Sequence, residues 1–535
     1  MITAIDTTRK TRFRHLLTAP ICLAACMFLI AAQPCSRAQD VVATQSGRVF
    51  GVSAAHGAVV SFKGIPYAAP PVGPLRWQPP QPPLPWSGVR KADHFSASCM
   101  QVIRGSHLPW TREFMAQYSI SEDCLYLNVW TPAKFAHTHR PVLVWIHGGG
   151  LVEGAASPAV YSGEHLAEQG IVVVSINYRL GIFGFLAHPE LTRESPHHAS
   201  GDYGLEDVVA ALQWVHHNIA AFGGDPNRVT IAGQSSGAAV VIYLTASPLA
   251  KGLFQGAIAE SGAYIEPPTT VSLADAEQQG LNSITALGAN TLTQMRNLPA
   301  DKLIAAQQKT RFRPDVDGWF LPQTIPEIFA AGHQNDVPTI TGANADEGSS
   351  SSKYGKLTPA EFKQQVEAHY GNLATEFLKL YPANTQAEAT LSQKTSERDD
   401  QRVAQYLWAL QRAKTAKTAA YTYYFNHAIP WPDHPEFGAF HSAEIPYWFR
   451  NLDALDRPFT KVDRDLSLTM SAYWLHFIQS GTPDGKGLPD WPAFHPQSRT
   501  TMELGVTSHP IAVAGEARFN FWQKFEEGEL NQKKK

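Results

Sequence analysis

The sequence predicts an α/β protein with a large, mostly parallel central sheet and helices on both faces. Three observations predict this class. Short apolar runs rich in Val and Ile alternate with helical segments along the chain. One run leads into a serine-centred glycine turn, and an earlier run leads into three consecutive glycines. Large α/β enzymes carry long insertions within one unit, so we expect the 535-residue chain to form a single domain over residues 39–535.

The predicted core strands are short and almost continuously apolar, as expected for strands buried on both faces of a sheet. Residues 205–220 instead place apolar side chains on one face of a helix, and a glycine-containing turn at 222–226 follows them. In chain order, the strands are predicted at residues 141–146, 171–176, 228–232, 257–259, 338–341 and 420–425.

Two helical insertions interrupt this order, at about residues 272–310 and 358–415. The second begins with Thr358 as N-cap, Pro359 at the first helical position and Glu361 completing a capping box. Either insertion can form a cap beside a catalytic pocket or pack over the sheet. The sequence leaves both roles open.

The strand at 228–232 runs directly into the pentapeptide GQSSG at residues 233–237, centred on Ser235. A strand, a G-x-S-x-G turn and a helix in succession form the nucleophile elbow of an α/β-hydrolase. Glycines flank the serine because the turn leaves no room for side chains there, and the following helix points its N-terminus at the site. We therefore predict an α/β-hydrolase fold with Ser235 as the nucleophile.

A glycine-rich loop lies upstream of this serine, directly after the predicted strand at 141–146. Its sequence is HGGG, and glycines leave backbone N–H groups open to a carbonyl oxygen that becomes negative during acyl transfer. We predict that the N–H groups of Gly149, Gly150 and Ser236 form the oxyanion hole. His147, which begins the loop, is expected to be structural.

Taken together, these blocks resemble the type-B carboxylesterases, the carboxylesterase/cholinesterase family of the α/β-hydrolases. The resemblance extends from about residue 41 to about residue 525. It implies a serine carboxylesterase that works through an acyl-enzyme intermediate, with no metal and no organic cofactor. The matching blocks are residues 63–68 (KGIPYA), 122–129 (EDCLYLNV), 147–150 (HGGG), 177–181 (NYRLG) and the elbow.

The resemblance also selects the other two members of a Ser-Glu-His triad. Glu347, in a D-E-G turn after a strand, matches the family's acid, and Asp346 beside it is the competitor. His441 matches the family's histidine block, whereas His434, the nearest rival, lacks that motif.

The elbow departs from the family pattern on both sides of the serine. The family commonly has Glu before the nucleophile and Ala after it, where this chain has Gln234 and Ser236. Ser236 leaves the backbone N–H in place. Gln234 removes a negative charge that would favour cationic substrates, so the sequence favours a general esterase over a cholinesterase.

Residues 1–38 have the features of a signal peptide: a basic region, an apolar stretch and small residues before a cleavage point after Ala38. Its removal leaves Cys99 and Cys124, which resemble the pair that closes the family's first loop. The alternative is a lipoprotein anchored at Cys26, although that cleavage would leave Cys35 unpaired. We expect a secreted or periplasmic protein.

In the family, the loop between these two cysteines borders the gorge that leads to the serine. Four of its side chains are candidates for substrate contact, with ordinary loop packing as the equal alternative: Trp110, Phe114, Met115 and Tyr118.

Composition and charge limit the partners. The chain has 44 basic and 47 acidic residues, with no long basic run beyond the N-terminus, so we expect a small-molecule ester substrate and no nucleic acid. The acidic balance gives a weak bias against anionic substrates. The oligomeric state stays open.

Two alternatives to an esterase remain at this stage. Some proteins of this fold are non-catalytic adhesion or binding proteins, but those usually lack a triad residue. A lipase acting on long-chain esters is the other alternative, because the sequence does not fix the depth of the pocket.

Overall fold

The computed structural model describes residues 41–117, 119–263 and 270–533. The predicted signal peptide, with Cys26, lies outside these ranges, as does Tyr118. The strands are β1 Val41–Thr44, β2 Gly47–Phe50, β3 Val52–Ala54, β4 Val59–Pro66, β5 Val89–Lys91, β6 Ser98–Cys99, β7 Ile120–Ser121, β8 Tyr126–Pro132, β9 Arg140–Ile146, β10 Val172–Ile176, β11 Gly224–Gln234, β12 Gly256–Glu260, β13 Val271–Ser272, β14 Asp315–Val316, β15 Thr339–Asn344, β16 Ala420–Phe425, β17 Thr500–Leu504 and β18 His509–Ala512.

The α-helices lie mainly between these strands, and short 3₁₀ turns connect several of them. They are α1 Glu164–Glu168, α2 Gly181–Phe185, α3 Pro189–Glu194, α4 Tyr203–Asn218, α5 Ser236–Ala246, α6 Leu273–Ala286, α7 Leu292–Arg296, α8 Ala300–Gln307, α9 Ile325–Ala330, α10 Pro359–Tyr370, α11 Ala374–Leu380, α12 Gln386–Arg412, α13 Ile445–Trp448, α14 Lys461–Ser480 and α15 Glu516–Lys533.

An 11-stranded sheet positions the functional residues, with the strand order β18-β17-β16-β15-β12-β11-β9-β10-β8-β4-β3. Its central strands, from β17 to β10, are parallel, whereas β8, β4 and β3 at one edge and β18 at the other are antiparallel. Six predicted strands are found at the predicted places, as β9, β10, β11, β12, β15 and β16. The sequence pattern did not predict the antiparallel strands at the edges.

Strand β11 shows why the central strands are buried on both faces. Alternate side chains along it point to opposite faces, so that Ile231 belongs to one apolar cluster and Ala232 to the other. The first cluster also includes side chains of α4 and α5, and the second includes side chains of α13 and α14. The predicted helical covering of both faces is therefore confirmed.

The two helical insertions have different surroundings. The second begins with the predicted capping box, in which Thr358 and Glu361 exchange hydrogen bonds across the first turn of α10. Its helices α10, α11 and α12 pack against the C-terminal helix α15 in a third apolar cluster. The first insertion, α6 to α8, packs against the cluster that contains α4 and α5. No helix in the described ranges has both the length and the apolar character needed to cross a membrane.

A disulfide bond joins Cys99 and Cys124, the pair that the sequence indicates. Both residues are buried in the cluster that contains α5. The bond fixes the two ends of the loop that carries Trp110, Phe114 and Met115.

Candidate active site

Ser235 occupies a sharp turn between β11 and α5. Its backbone has φ 58° and ψ −126°, a conformation that a residue with a side chain rarely adopts. A Cβ atom at Gly233 would lie 2.5 Å from the backbone of Gly237, and one at Gly237 would lie 2.2 Å from the carbonyl oxygen of Ile146. Both flanking positions therefore require glycine, as the sequence predicts.

The loop after β9 reaches the same place. Gly149 and Gly150 have φ values of 111° and 65°, and a Cβ atom at Gly149 would lie 2.1 Å from the carbonyl oxygen of Glu153. Among the residues described, no acceptor takes the backbone N–H of Gly149, Gly150 or Ser236. These donors remain open, as an oxyanion hole requires. The Ser236 hydroxyl, in turn, accepts a hydrogen bond from the Leu151 N–H at 3.2 Å, so it links the elbow to the glycine loop.

The carboxylate of Glu347 is hydrogen-bonded to Nδ1 of His441. Its second oxygen, Oε1, accepts hydrogen bonds from the Ser261 hydroxyl at 2.6 Å and from the Asn344 N–H at 2.7 Å. Both side chains of the pair are largely buried. A carboxylate held at three points can fix one tautomer of the imidazole, with the proton on Nδ1 and the lone pair on Nε2.

Each member of this pair shifts the pKa of the other. Burial acts to raise the pKa of Glu347, but the charge of His441 and the hydrogen bonds from His441, Asn344 and Ser261 lower it below its usual value. Burial acts to lower the pKa of His441, but the charge and hydrogen bond of Glu347, with a contribution from Glu444, raise it above its usual value. The acid is therefore ionised at neutral pH.

The outer nitrogen of the imidazole faces the elbow. Nε2 of His441 lies 3.2 Å from Nε2 of Gln234, the residue before the serine. Within the described ranges, no hydrogen bond joins the Ser235 hydroxyl to this imidazole, although both residues line one cavity. Catalytic hydrogen bonds of this kind can be long in an enzyme without substrate. The Gln234 amide therefore lies beside Nε2 of His441, at the place where the Ser235 hydroxyl would have to bind.

The two rival residues have other roles. Asp346 accepts hydrogen bonds from Arg398 at 2.6 Å and from the Ala439 N–H at 3.0 Å, so its carboxylate ties down the loop that carries His441. His434 lies near the surface and is hydrogen-bonded to Glu436. Neither side chain lines the cavity at Ser235.

His147 is fully buried and stacks on the ring of Tyr178, with ring centroids 4.6 Å apart. Burial lowers the pKa of His147 to about 4, with a small opposing effect from its hydrogen bond to the Gly148 carbonyl. The Tyr178 hydroxyl donates to the His147 carbonyl at 2.9 Å. This neutral ring supports the glycine loop from behind, as expected for a structural residue.

A cavity of about 620 Å³ lies in front of Ser235, His441 and the glycine loop. The disulfide-closed loop contributes Trp110, Phe114 and Met115 to its wall. Residues 307–311, at and after the C-terminal end of α8, form another part of the wall, whereas none of the described residues of the second insertion lines the cavity. Sequence analysis did not identify 307–311, because no motif marks a wall made by the end of an inserted helix.

Comparison with known proteins agrees with this architecture. The family model of the Carboxylesterase family matches residues 38–522. A fumonisin B1 esterase of Sphingopyxis macrogoltabida is 37% identical over 468 residues, which is 84% of each chain. A cocaine esterase of Homo sapiens is 34% identical, covering 95% of this chain and 96% of its own. A para-nitrobenzyl esterase of Bacillus subtilis (strain 168) is 36% identical, covering 87% of this chain and 94% of its own. This chain therefore belongs to the carboxylesterase family, with the α/β-hydrolase fold.

Proposed function

We propose that this carboxylic-ester hydrolase works through a covalent acyl-enzyme intermediate on Ser235. His441 takes the proton of the Ser235 hydroxyl as the oxygen attacks the ester carbonyl. Glu347 keeps the imidazole in the required tautomer and stabilises the imidazolium that forms. His441 then protonates the departing alcohol and afterwards activates the water that releases the acid.

The N–H groups of Gly149, Gly150 and Ser236 would stabilise the negative oxygen of the tetrahedral intermediate. Two of these N–H groups lie in the glycine loop, at positive φ values that glycine adopts readily, and the third is at the first residue of α5. Donors fixed in advance need no reorganisation as charge develops on the oxygen.

One observation carries this proposal. A strained serine, a histidine bound to a buried carboxylate and three open N–H donors meet at one end of the sheet, around a single cavity. The imidazole can bind the serine hydroxyl only after its contact with Gln234 is broken. This requires the rearrangement of one amide side chain. We place that rearrangement at substrate binding.

The direct test is a panel of 4-nitrophenyl esters with acyl chains of two to sixteen carbons, hydrolysed by the wild type and by Ser235→Ala. We expect hydrolysis of the short esters and a loss of at least about 10³-fold in kcat in the variant. Hydrolysis that survives the substitution would overturn the assignment of the nucleophile.

The same panel separates the alternatives. No hydrolysis of any ester would favour a binding protein on this fold. A preference for the longest chains, increasing above the solubility limit of the ester, would favour a lipase. The relatives are named for quite different esters, which supports a general esterase and not one particular substrate.

We also propose export from the cytoplasm. The support is the leader-like sequence of residues 1–38 and the disulfide between Cys99 and Cys124, a bond typical of oxidising compartments. N-terminal sequencing of the exported protein should begin at Gln39. A lipid-modified N-terminus at Cys26 would identify a lipoprotein instead.

A further inference from the structure

The cavity in front of Ser235 is lined by more positive than negative charge. Among the residues described there, the wall contains the cations Arg104, Lys309 and Arg311 and one carboxylate, that of Glu153. This local balance is opposite in sign to that of the whole chain, which carries −3. The overall charge therefore does not describe what the cavity attracts.

The Glu153 carboxylate in the wall already has a cationic partner. Glu153 lies 3.6 Å from the guanidinium of Arg104, at ion-pair distance. Within the described ranges, no carboxylate lies at ion-pair distance from Lys309 or Arg311, and no hydrogen bond is made by either side chain. Among the described residues, these two cations in the wall therefore have no counter-ion.

Arg311 is exposed and has no such partner among the described residues, whereas two buried arginines of the molecule are paired. Arg179 is paired with Asp207 at 2.7 Å, and Arg76 with Glu122 at 2.5 Å. A guanidinium offers five N–H donors in a planar fork that fits a carboxylate, so an unmatched one at a cavity wall is a natural partner for an anion. Partial burial and the neighbouring Arg313 both lower the pKa of Arg311. A bound anion would offset both effects.

Arg311 also lies close to the site of reaction. Its Nη2 atom is 3.7 Å from the position that a Cβ atom on Gly150 would occupy, and Gly150 is one of the proposed oxyanion donors. The guanidinium is therefore beside the glycine loop, while Lys309 lies two residues earlier in the same wall. A carboxylate bound there would therefore be close enough to the reacting carbonyl to be part of the ester substrate.

We propose that the active-site cavity selects ester substrates that carry a carboxylate near the scissile bond, with Arg311 as the residue that binds this carboxylate and Lys309 reinforcing it. The inference rests on the proposed function, because it assigns a substrate class to the same site. It runs against the weak bias that the overall charge suggests, because the charge of the cavity wall differs in sign from that of the whole chain.

The carboxylate can belong to the acyl part or to the alcohol part of the ester, so two matched pairs of substrates are needed. The first pair is 4-nitrophenyl hydrogen adipate and 4-nitrophenyl hexanoate, which differ by a carboxylate in place of a methyl group on the acyl side. The second is 4-acetoxybenzoate and its methyl ester, which differ on the alcohol side. In each pair, the ratio of kcat/KM for the anionic and the neutral ester is measured.

For Arg311→Gln, we expect this ratio to fall about tenfold in at least one pair, as for the loss of one hydrogen-bonded charge pair. Arg311→Lys should restore part of it. Raising NaCl from about 50 to about 500 mM screens the charge of Arg311. It should therefore lower the ratio of anionic to neutral kcat/KM more in the wild type than in Arg311→Gln. The pair that responds tells which side of the ester carries the anion.

Arg193→Gln is the matched control, because Arg193 is an exposed arginine on α3 outside the cavity wall and its loss should leave both ratios unchanged. Ratios unchanged in both pairs for Arg311→Gln would overturn the proposal while leaving ester hydrolysis intact. An equal loss for anionic and neutral esters would also overturn it, because Arg311 would then act on the reacting oxygen. No hydrolysis of any of the four esters by the wild type would overturn this proposal and the proposed function together.

Discussion

Two parts of the active-site cavity are built in opposite ways. The reacting groups follow central strands: the glycine loop follows β9, Ser235 follows β11 and Glu347 follows β15. The facing wall comes from the disulfide-closed loop and from residues 307–311 after an inserted helix. We infer from this difference that the sheet positions the groups that react, and that loops and insertions select the ester.

The largest effect should come from the carboxylate that orients the base. Glu347→Gln keeps the shape of the side chain but loses the charge beside His441, so we expect kcat to fall about 10³–10⁴-fold. Steady-state kinetics on a short 4-nitrophenyl ester measures it.

Its neighbour provides the matched control. Asp346→Asn weakens the contacts with Arg398 and the Ala439 N–H, which hold the His441 loop, and should cost about 1 kcal/mol of unfolding free energy with a far smaller loss of kcat. If Asp346→Asn abolished activity and Glu347→Gln did not, the acid would have been assigned to the wrong residue.

Loss of the disulfide should affect stability and substrate binding, and not the chemical step that Glu347→Gln slows. The double variant Cys99→Ser with Cys124→Ser removes the bond that closes the loop, and should lower the free energy of unfolding by about 3 kcal/mol. Urea denaturation measures this change. Below the unfolding transition, KM should rise while kcat changes little, because the loop carries wall residues and none of the proposed triad. A large loss of kcat with an unchanged KM would contradict the separation of the two parts.

The pH profile tests the electrostatics at the base. His441 must be neutral to accept a proton, and Glu347 raises its pKa above the usual value of about 6.5, so kcat/KM in the wild type should rise with pH through a pKa above 6.5.

Gln234→Glu sharpens this test. A carboxylate near Nε2 would stabilise the imidazolium and raise the pKa of His441 further. The acid limb of the profile, where kcat/KM rises with pH, should therefore shift to higher pH by about one unit. Gln234→Ala adds no charge and should move the limb far less. A limb that stayed in place or moved to lower pH in Gln234→Glu would show that residue 234 does not face the imidazole in the working enzyme.

The smallest effect concerns the link between the elbow and the glycine loop. Ser236→Ala removes the acceptor of the Leu151 N–H, and we expect kcat to fall about fivefold with little change in KM. Ser442→Ala removes the acceptor of the Trp110 indole N–H in the wall and should instead raise KM. An increase of KM in Ser236→Ala and a loss of kcat in Ser442→Ala would contradict the separation of the reacting groups from the wall.

The reacting half of the cavity could be predicted because backbone geometry restricts residue type there. Gly233, Gly237 and Gly149 each lie where a Cβ atom would collide with backbone, so the glycines appear in the sequence as a pattern. The buried strands could be predicted from their apolar content for a similar reason.

The wall could not be predicted in this way. The positions of Lys309 and Arg311 depend on how α8 ends against the rest of the fold, and any exposed helix end can carry the same two residues. The contact between Gln234 and His441 was missed because it joins residues 207 positions apart. The antiparallel strands β4 and β8 lie outside the α/β alternation that indicated the rest of the sheet.

Ser235 is proposed as the covalent nucleophile, with His441 as its base. Labelling with a fluorophosphonate probe, followed by peptide mass spectrometry, is the most direct test of this assignment. We expect one label per chain, on Ser235, absent in Ser235→Ala and formed far more slowly in His441→Ala. A label on another residue, or undiminished labelling in His441→Ala, would contradict the claim.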